Sequence, residues 1–321
     1  MARILVTGVS GQIGSYVADL LIEGGHEVFG AGGPDASPLP RGIRACMSPL
    51  TPERSSEVLD EAGPLDGVVH LAGQSSVAAS WSDPMGTFDT NARLTAALLF
   101  AVAKRRSVRF VHASSAEIFG NASTPVQNEL TPLAPISPYA VAKASAHMAV
   151  QVARSGLGVA ASNLIFYLGE SPRRAPHFVF RKITKTLARI ARAKASHDTS
   201  SPSYLVLGNT SVIRDFCHAK DLARAAVMLS LGGQPGDYIC ASGEGHSILD
   251  VARVACDLAR LDSNETLRTD PALVRPNDIV SLVGDASKLR ALGWAPTVGF
   301  RDLVSEVYEY DLRGQVEHGG G

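Results

Sequence analysis

The sequence contains little cysteine and no clustered metal ligands. Four cysteines stand far apart among 321 residues, without a Cys-x-x-Cys pair. The nine histidines show no spacing typical of a metal site. We therefore predict a metal-free protein with reduced cysteines, as is usual in the cytoplasm.

An excess of charge of one sign and a long apolar run are also missing. Thirty Lys and Arg residues against 31 Asp and Glu residues give a formal net charge of −1, which favours neither nucleic acid nor a membrane surface as a partner. No apolar stretch approaches the roughly 18 residues that cross a bilayer. The N-terminal MARILVTG is typical of a strand rather than of a signal peptide, so the sequence predicts a cytoplasmic globular protein.

What the sequence does contain is an alternation of short β-rich runs with longer helical patterns. Such alternation predicts an α/β fold, in which helices cover a parallel sheet. Residues 1–166 are predicted to form a Rossmann-type doubly wound sheet, with returns near 208–243. Residues 167–321 are predicted to form mainly a smaller α/β lobe for a substrate. The predicted strands are RILVTG, HEVFGAG, GVVHLAG, VRFVHASS and VAASNLIF, and the predicted helices cover about residues 12–23, 86–105 and 138–154.

Three glycines occupy the first predicted turn. Gly8, Gly11 and Gly14 in VTGVSGQIGSYV fall between a strand and a helix. There the first glycine permits a tight turn, the second lets the backbone approach a diphosphate, and the third allows close packing of helix on strand. The motif predicts a dinucleotide site, and a tight turn without a ligand is the alternative. The predicted contacts are Gly8, Ser10, Gly11, Gln12, Ile13 and Gly14.

The end of the second strand determines the preference for NAD or NADP. An acidic residue there favours NAD, and arginines favour the extra phosphate of NADP. The segment AGGPDAS places neither directly at that point. Asp35, Arg41 and Arg44 are the candidates, so the cofactor is predicted to be NADP or NAD.

The stretch HASSAEIFG, residues 112–120, ends an apolar run on two serines and then adds a carboxylate. If the strand continues through this stretch, Ser115 and Glu117 point to the same side, because side chains alternate along a strand. The two residues then form either a catalytic pair or a capped turn.

Tyr139 and Lys143 stand four residues apart near the start of a predicted helix, so they share a face. Ser137 is the candidate N-cap, Pro138 lies in the first turn and Gly156 is the predicted end. A phenol, with its pKa of about 10, acts as a base near neutral pH only if positive charge stabilises its anion. Lys143 and an oxidised nicotinamide would supply that charge. The alternative is an exposed aromatic side chain beside a solvated lysine.

The segments GVSGQIG and HLAG, followed by Ser115 and Tyr139-x-x-x-Lys143, resemble the extended short-chain dehydrogenase/reductase family over nearly the whole chain. The resemblance implies that Ser115, Tyr139 and Lys143 act together in hydride transfer at a sugar hydroxyl. It also implies that Leu71 and Ala72, together with Tyr139 and Lys143, contact the cofactor.

Later segments resemble the GDP-mannose 4,6-dehydratase family closely, and the related 4-keto-6-deoxy sugar reductases somewhat less. The resemblance implies that Arg181 or Lys182, Arg214 and Arg275 contact the diphosphate and nucleoside of a nucleotide sugar in the second lobe. Arginine suits such bidentate phosphate contacts. The segments are ESPRRAPHFVFRKITKTLARI, LGNTSVIRDFCHAKDLARA, VRPNDIVSLVGDASKLRALGW and FRDLVSEVYEYDL.

This resemblance implies a 4,6-dehydratase. Tyr139 acts as base while C4 is oxidised, Glu117 then removes the acidified C5 proton, the C6 hydroxyl leaves as water, and hydride returns to C6. The chain departs from the family pattern at three points. Ala116 replaces a polar residue, Phe119 replaces a tyrosine, and residues 167–169 replace Asn-His before ESPRR.

Two other functions remain open. A nucleotide-sugar 4-epimerase or 4-keto reductase needs Ser115, Tyr139 and Lys143 but not Glu117. A non-catalytic nucleotide sensor or scaffold needs none of them, and the intact Tyr-Lys pair argues against it.

The predicted helices near 86–105 and 138–154 carry apolar or small residues over more than one face. A single sheet cannot cover both faces, so we predict that they pair with the same helices of a second subunit. The predicted assembly is a homodimer, with a tetramer as the larger alternative. For Asn91, inside the first helix, the resemblance implies a water chain toward Lys143, and the alternative is a solvent-facing side chain.

Overall fold

The computed structural model describes residues 1–32, 39, 42–105, 107–198, 200, 202–274 and 278–314. Three predicted binding residues, Asp35, Arg41 and Arg275, lie outside the described residues. The strands are β1 Arg3–Thr7, β2 Glu27–Ala31, β3 Arg44–Ala45, β4 Gly67–His70, β5 Arg109–Ser115, β6 Ala161–Phe166, β7 Leu168–Glu170, β8 Leu205–Leu207, β9 Ile213–His218, β10 Asp237–Cys240, β11 Gly245–Ser247, β12 Leu267–Thr269 and β13 Ser281–Leu282. The α-helices are α1 Gln12–Glu23, α2 Ser55–Ala62, α3 Val77–Ser82, α4 Pro84–Phe88, α5 Leu94–Ala103, α6 Pro138–Leu157, α7 Val179–Ser196, α8 Ala219–Leu231, α9 Ile248–Ala259, α10 Ser263–Thr266, α11 Ser287–Arg290 and α12 Phe300–Leu312.

The main sheet has seven parallel strands in the order β10-β6-β5-β4-β1-β2-β3. The order reverses between β1 and β4, which is the switch point of a doubly wound Rossmann fold. All five predicted strands and the predicted fold class are confirmed. The carboxyl ends of β1 and β4 therefore meet at the place where such sheets bind ligands.

The strands are apolar along their length because helices cover both faces of the sheet. Ile4, Leu5 and Val6 of β1 are all fully buried. Ile4 and Val6 belong to the core on the side of α1 and α8, whereas Leu5 packs with α2 and α5. The continuous hydrophobic run of β1 thus serves two cores at once.

The long helix predicted near 86–105 is interrupted. Between α4 and α5, residues Asp89–Arg93 form a π-helical turn. Asn91 lies inside this turn and is fully buried. Its side-chain Nδ2 donates to the Gln74 backbone carbonyl at 2.9 Å, and its backbone carbonyl accepts from Thr95 Oγ1 at 2.8 Å. These bonds hold Asn91 toward the sheet, so the solvent-facing alternative is wrong.

Helix α6 begins as predicted and ends slightly later. Ser137 Oγ accepts from the Ala140 amide at 3.1 Å, and Pro138 occupies the first turn. The helix continues through Gly156 and ends at Leu157, where Gly158 adopts φ of +66° as the C-cap. A left-handed C-cap position favours glycine, so Gly158 rather than Gly156 terminates the helix.

The second half of the chain adds smaller sheets to the first. Strands β11, β9 and β13 form one sheet, with β7 paired to β9, and β12 pairs with β8. Helices α7, α9 and α12 pack together over a third core that includes Phe180, Val251 and Leu303. Helix α8 and strand β10 return to the Rossmann sheet. We propose residue 166 as the boundary between the two lobes.

Two general features concern the described part of the chain. None of its helices is both long enough and apolar enough to cross a membrane. Its histidines, cysteines and acidic residues form no group of three that could hold a metal ion.

Candidate active site

A cleft of about 550 Å³ opens at the carboxyl ends of β1, β4 and β5 and continues into the second lobe. Its walls combine the glycine loop, the start of α6 and the segment after β6. Among the predicted site residues, it is lined by Gly8, Gly11, Gln12, Ile13, Gly14, Leu71, Ser115, Glu117, Tyr139, Lys143 and Arg214.

The glycine loop is as tight as the sequence predicts. Gly8 has φ of +66°, and a Cβ on this residue would lie 2.8 Å from the Ala72 amide nitrogen. A Cβ on Gly14 would lie 2.1 Å from the Gly8 carbonyl oxygen. Thr7 Oγ1 accepts from the amides of Leu71 and Ala72 at 3.2 and 3.1 Å, which joins the turn after β4 to the end of β1.

This loop fits the diphosphate of a dinucleotide. Gly11 is the N-cap of α1, and no side chain of the described residues caps that end. The first amides of the helix are therefore available to an anion, with the helix dipole in support. Ser10 is exposed and lies outside the cleft lining, and Ala72 also lies outside that lining, so their contacts with a cofactor stay predictions.

Of the three candidates for contact with the 2′ group of the adenosine ribose, Arg44 is the one within the described residues. Its Nη1 lies 2.5 Å from Glu27 Oε1, at the first residue of β2. This is the end of β2 opposite to the one that would meet an adenosine ribose. The structure therefore corrects the assignment of Arg44.

Ser115 and Glu117 do not share a strand face, because β5 ends at Ser115. Residues Ala116–Phe119 form a 3-10 turn, and Ser115 Oγ accepts from the Glu117 amide at 3.3 Å. The Ser115 hydroxyl also lowers the pKa of the Tyr139 phenol, whereas the charge of Glu117 raises that pKa. The serine therefore caps the turn and also joins the predicted catalytic group.

Burial determines the ionisation of the Tyr-Lys pair. Burial raises the pKa of Tyr139 to about 12, with a further increase from the charge of Glu117, and the Ser115 hydroxyl and the charge of Arg174 only partly oppose this. Burial also lowers the pKa of Lys143 to about 8, while its Nζ donates to the Ala113 carbonyl at 2.9 Å. Burial of the phenol therefore outweighs the groups of this chain that lower its pKa, and a positive charge on a ligand would lower that pKa further.

Asn91 and Lys143 approach each other across Gly73. A Cβ on Gly73 would lie 2.3 Å from Asn91 Oδ1 and 3.9 Å from Lys143 Nζ. Asn91 Oδ1 is buried and has no hydrogen-bond partner in the described ranges. This arrangement supports the proposed polar connection between the two side chains.

Arg214 alone of the described substrate-binding candidates lines the cleft. It is buried, and its Nη2 donates to Asp278 Oδ1 at 3.0 Å while its Nη1 donates to the Ile279 carbonyl at 2.8 Å. Lys182 lies outside the cleft lining, and its Nζ donates to the Val206 carbonyl at 3.1 Å.

Arg181 is a structural residue rather than a substrate ligand. Its side chain is buried, and its Nη2 and Nε donate to the two carboxylate oxygens of Asp311 at 2.6 and 3.2 Å. Its Nη1 donates to the carbonyls of Pro172 and Arg174. The guanidinium is thus used within the protein, which corrects the sequence-based assignment.

The segment ESPRR supplies a site residue that the sequence analysis missed. Arg174 lines the cleft, packs over the Phe178 ring at 3.4 Å and donates from Nη1 to Gln12 Oε1 at 3.3 Å. The position of ESPRR shortly after the predicted strand VAASNLIF was the available signal, because ligands bind beyond the carboxyl ends of parallel strands. The loop after β4 also lines the cleft, through Gln74, Ser75 and Ser76.

Comparison with known proteins agrees with this geometry. A family model described as GDP-mannose 4,6 dehydratase matches residues 51–307. GDP-mannose 4,6 dehydratase 1 of Arabidopsis thaliana is 35% identical over 96% of this chain and 89% of that protein. GDP-mannose 4,6-dehydratase sdnI of Sordaria araneosa is 33% identical over 96% of this chain, which spans 60% of the length of that protein.

Among solved structures, the UDP-glucose 4-epimerase of Thermus thermophilus in complex with NAD is 27% identical, with a TM-score of 0.85. The match covers 98% of this chain and 100% of that chain. The fold is therefore shared with an epimerase, while the sequence matches dehydratases. The chain belongs to the GDP-mannose 4,6-dehydratase family of extended short-chain dehydrogenases/reductases, as the motifs predicted.

Proposed function

We propose that this protein is a nucleotide-sugar 4,6-dehydratase that acts on a GDP-hexose such as GDP-mannose. The observation that carries the proposal is the position of Glu117, a carboxylate at the Ser115–Tyr139 pair within the cleft that also holds the glycine loop. The dehydratase relatives support the nucleotide and the reaction.

The residues that line the cleft fit a nicotinamide dinucleotide, either NAD or NADP. We assign its diphosphate to the glycine loop, the N-terminus of α1 and Arg174. When bound, the oxidised cofactor supplies a reversible hydride acceptor and the positive charge that lowers the pKa of the Tyr139 phenol. Lys143 is fixed on the sheet side of the cleft by the bond from its Nζ to the Ala113 carbonyl, and we assign to Ser115 the role of orienting the phenol.

Glu117 carries the proton chemistry at C5 and C6. A ketone at C4 acidifies the C5 hydrogen, so the carboxylate acts as general base there. The neighbouring Ala116 is buried and has no proton to donate, and Phe119 lacks a hydroxyl. We therefore assign both transfers to Glu117: it takes the C5 proton and delivers it to the departing C6 hydroxyl, which leaves as water.

A 4-epimerase is the second candidate, supported by the shared fold with the Thermus enzyme. An epimerase uses Ser115, Tyr139 and Lys143 in the same positions but leaves C5 and C6 intact. The two candidates therefore differ in the mass of the product and in the need for Glu117.

The first test is mass spectrometry of the purified protein incubated with nucleotide hexoses, GDP-mannose included. We expect a product lighter by one water. Glu117→Gln should lower the rate of its formation by roughly 10²–10⁴-fold. The matched control is Glu23→Gln, an exposed carboxylate at the end of α1, which should retain the wild-type rate. A product of unchanged mass that Glu117→Gln still forms would favour the epimerase, and a dehydrated product formed at the wild-type rate by Glu117→Gln would contradict the role of Glu117.

We also propose that the protein forms a homodimer through α5 and α6, with a tetramer as the larger alternative. The free, separated cysteines support a reducing compartment such as the cytoplasm.

A further inference from the structure

Glu170 is a buried carboxyl group for which the proposed reaction has no use. It ends β7, lies opposite His218 of β9 in parallel register and is 1% exposed. It nevertheless lines the cleft. Its Oε2 is buried and has no hydrogen-bond partner in the described part of the chain.

Its nearest cation, Arg174, is equally incomplete. Arg174 Nε lies 3.8 Å from Glu170 Oε1, beyond hydrogen-bond distance, and has no hydrogen-bond partner among the described residues. The Nη1 bond to Gln12 Oε1, at 3.3 Å, is long. A guanidinium with five donors thus lies between a carboxyl group and the glycine loop, and among the described residues its side chain donates only to Gln12.

The neighbouring buried pair of Arg181 and Asp311 differs, because its charged groups are hydrogen-bonded within the protein. Arg181 binds both oxygens of Asp311, and Thr184 Oγ1 donates to the same carboxylate at 2.7 Å. Arg181 and Asp311 therefore have no need of a ligand. Glu170 and Arg174 are left unsaturated in the wall of a cleft that fits an anion.

The charges around Glu170 come from several elements. Arg174 on the following turn and Arg181 on α7 both favour its ionised form, yet burial outweighs them and raises the pKa of Glu170 to about 7. His218 on β9 lies opposite Glu170 in the register, and its Nε2 is 3.2 Å from Glu306 Oε2 of α12.

Two further groups complete this environment. Asp311 of α12 offsets the charge of Arg181, and Lys143 lies on α6 in another part of the cleft wall. Arg174 is therefore the cation whose position a ligand can change.

We propose that Glu170 is a positioning residue that couples binding of the dinucleotide to the uptake of one proton. The diphosphate and the Glu170 carboxylate compete for the Arg174 guanidinium. When the diphosphate binds, the carboxylate loses its counter-charge and meets a second anion in a buried site, so it takes a proton from solvent. The neutral carboxyl group then leaves Arg174 directed at the ligand. This inference rests on the dinucleotide site of the proposed function and not on the dehydration step.

The sign of the pH dependence follows from linkage. Below about pH 7 the free protein already holds the proton, so binding takes up none. Above that pH the free carboxyl group is ionised and must be protonated for binding. Affinity should therefore fall with rising pH, by up to about 10-fold per pH unit.

Calorimetric titration of the full chain, cleared of bound nucleotide, tests this with ADP-ribose in buffers of different ionisation enthalpy. ADP-ribose keeps the diphosphate but lacks the nicotinamide, so Lys143 does not contribute its own proton. We expect the wild type to take up close to one proton at pH 8 and almost none at pH 6. Glu170→Gln should take up none at either pH and bind with a Kd that does not change between them.

A matched pair of arginines provides the control. Arg174→Gln should weaken binding and abolish proton uptake. Arg173→Gln should keep both, because Arg173 lies outside the cleft lining and bonds to Ser15 and Asp19 on α1. Equal uptake by Glu170→Gln and the wild type would overturn the inference alone. Failure of every variant and the wild type to bind ADP-ribose would overturn the dinucleotide site as well.

Discussion

At the scale of single residues, the arginines show how much depends on tertiary partners. Arg174, Arg181 and Arg214 are chemically identical, and all come from segments that resemble nucleotide-binding segments. Arg181 is saturated by Asp311, which lies 130 residues away in the chain, whereas Arg174 and Arg214 line the cleft. A sequence pattern does not reveal a partner at that separation.

We expect Arg181→Gln to impair stability rather than substrate affinity. Losing the guanidinium leaves Asp311 buried without its cation, which costs about 3–5 kcal/mol of unfolding free energy. The matched control, Lys182→Gln, changes an exposed side chain one position away and should stay within about 0.5 kcal/mol. Chemical denaturation measures the unfolding free energy of both variants, and the KM for the nucleotide sugar measures their substrate affinity.

The opposite pattern would restore the sequence-based assignment of Arg181. An unchanged unfolding midpoint together with a raised KM would mean that the Arg181 side chain reaches the substrate. A lower midpoint with an unchanged KM would agree with the ion pair.

The cluster of Ser115, Tyr139 and Lys143 was more predictable than the arginines. The spacing of Tyr139 and Lys143 places both side chains on one helix face, and the family resemblance implied the role of Ser115. Glu170 gave no such signal. Its environment is created by Arg174, by burial under the second lobe and by the cleft itself, none of which is local in sequence.

At the scale of elements, α1 has the bounds predicted for it, and β1 lies where the apolar run indicated. The π-helical turn at Asp89–Arg93 was not predictable from periodicity. Its Asn91 side chain bonds to the Gln74 carbonyl, a contact that forms only when the loop after β4 is in place. The regular strands and helices were therefore predictable from the sequence, whereas the π-helical turn near the site was not.

The glycine loop gives the clearest test at this scale. We expect Gly14→Ala to reduce dinucleotide affinity strongly and to destabilise the fold, because its Cβ would lie 2.1 Å from the Gly8 carbonyl oxygen. Gly156→Ala in α6 is the matched control, since its Cβ would have nothing within 4 Å. Near the end of the helix that change should leave the stability unchanged or raise it by less than about 1 kcal/mol.

Fluorescence titration with NADH and NADPH, together with thermal unfolding, measures both effects. Wild-type affinity in Gly14→Ala would mean that the loop does not hold the diphosphate. A destabilised Gly156→Ala variant would show that the change of residue, rather than the contact, is responsible.

At the scale of the whole molecule, one cleft collects residues from both lobes. The glycine loop and α6 form one side, and Arg174 and Arg214 extend the lining toward the second lobe. The seven-stranded sheet alone would place only the dinucleotide residues. The returns of α8 and β10 to the Rossmann sheet join the second lobe to it, and Tyr139 and Arg214 line the same cleft.

The single chain also exposes an apolar surface on α5 and α6. On α6, Val141, Met148 and Val152 are exposed to 45%, 48% and 60%, and their spacing of seven and four residues places them on one helix face. Phe100 of α5 is also exposed. An apolar face of this kind on two adjacent helices favours an isologous contact with a second copy.

We expect the wild-type protein to be a dimer and the double variant Met148→Glu, Val152→Glu to be a monomer, because two carboxylates would face their own copies across the two-fold axis. Light scattering after size-exclusion chromatography measures the mass of each. Leu130→Glu is the matched control: this leucine is 90% exposed but lies in the loop before α6, so its substitution should leave the dimer intact. A wild type that is monomeric at micromolar concentration, or a double variant that remains dimeric, would place the interface elsewhere or remove it.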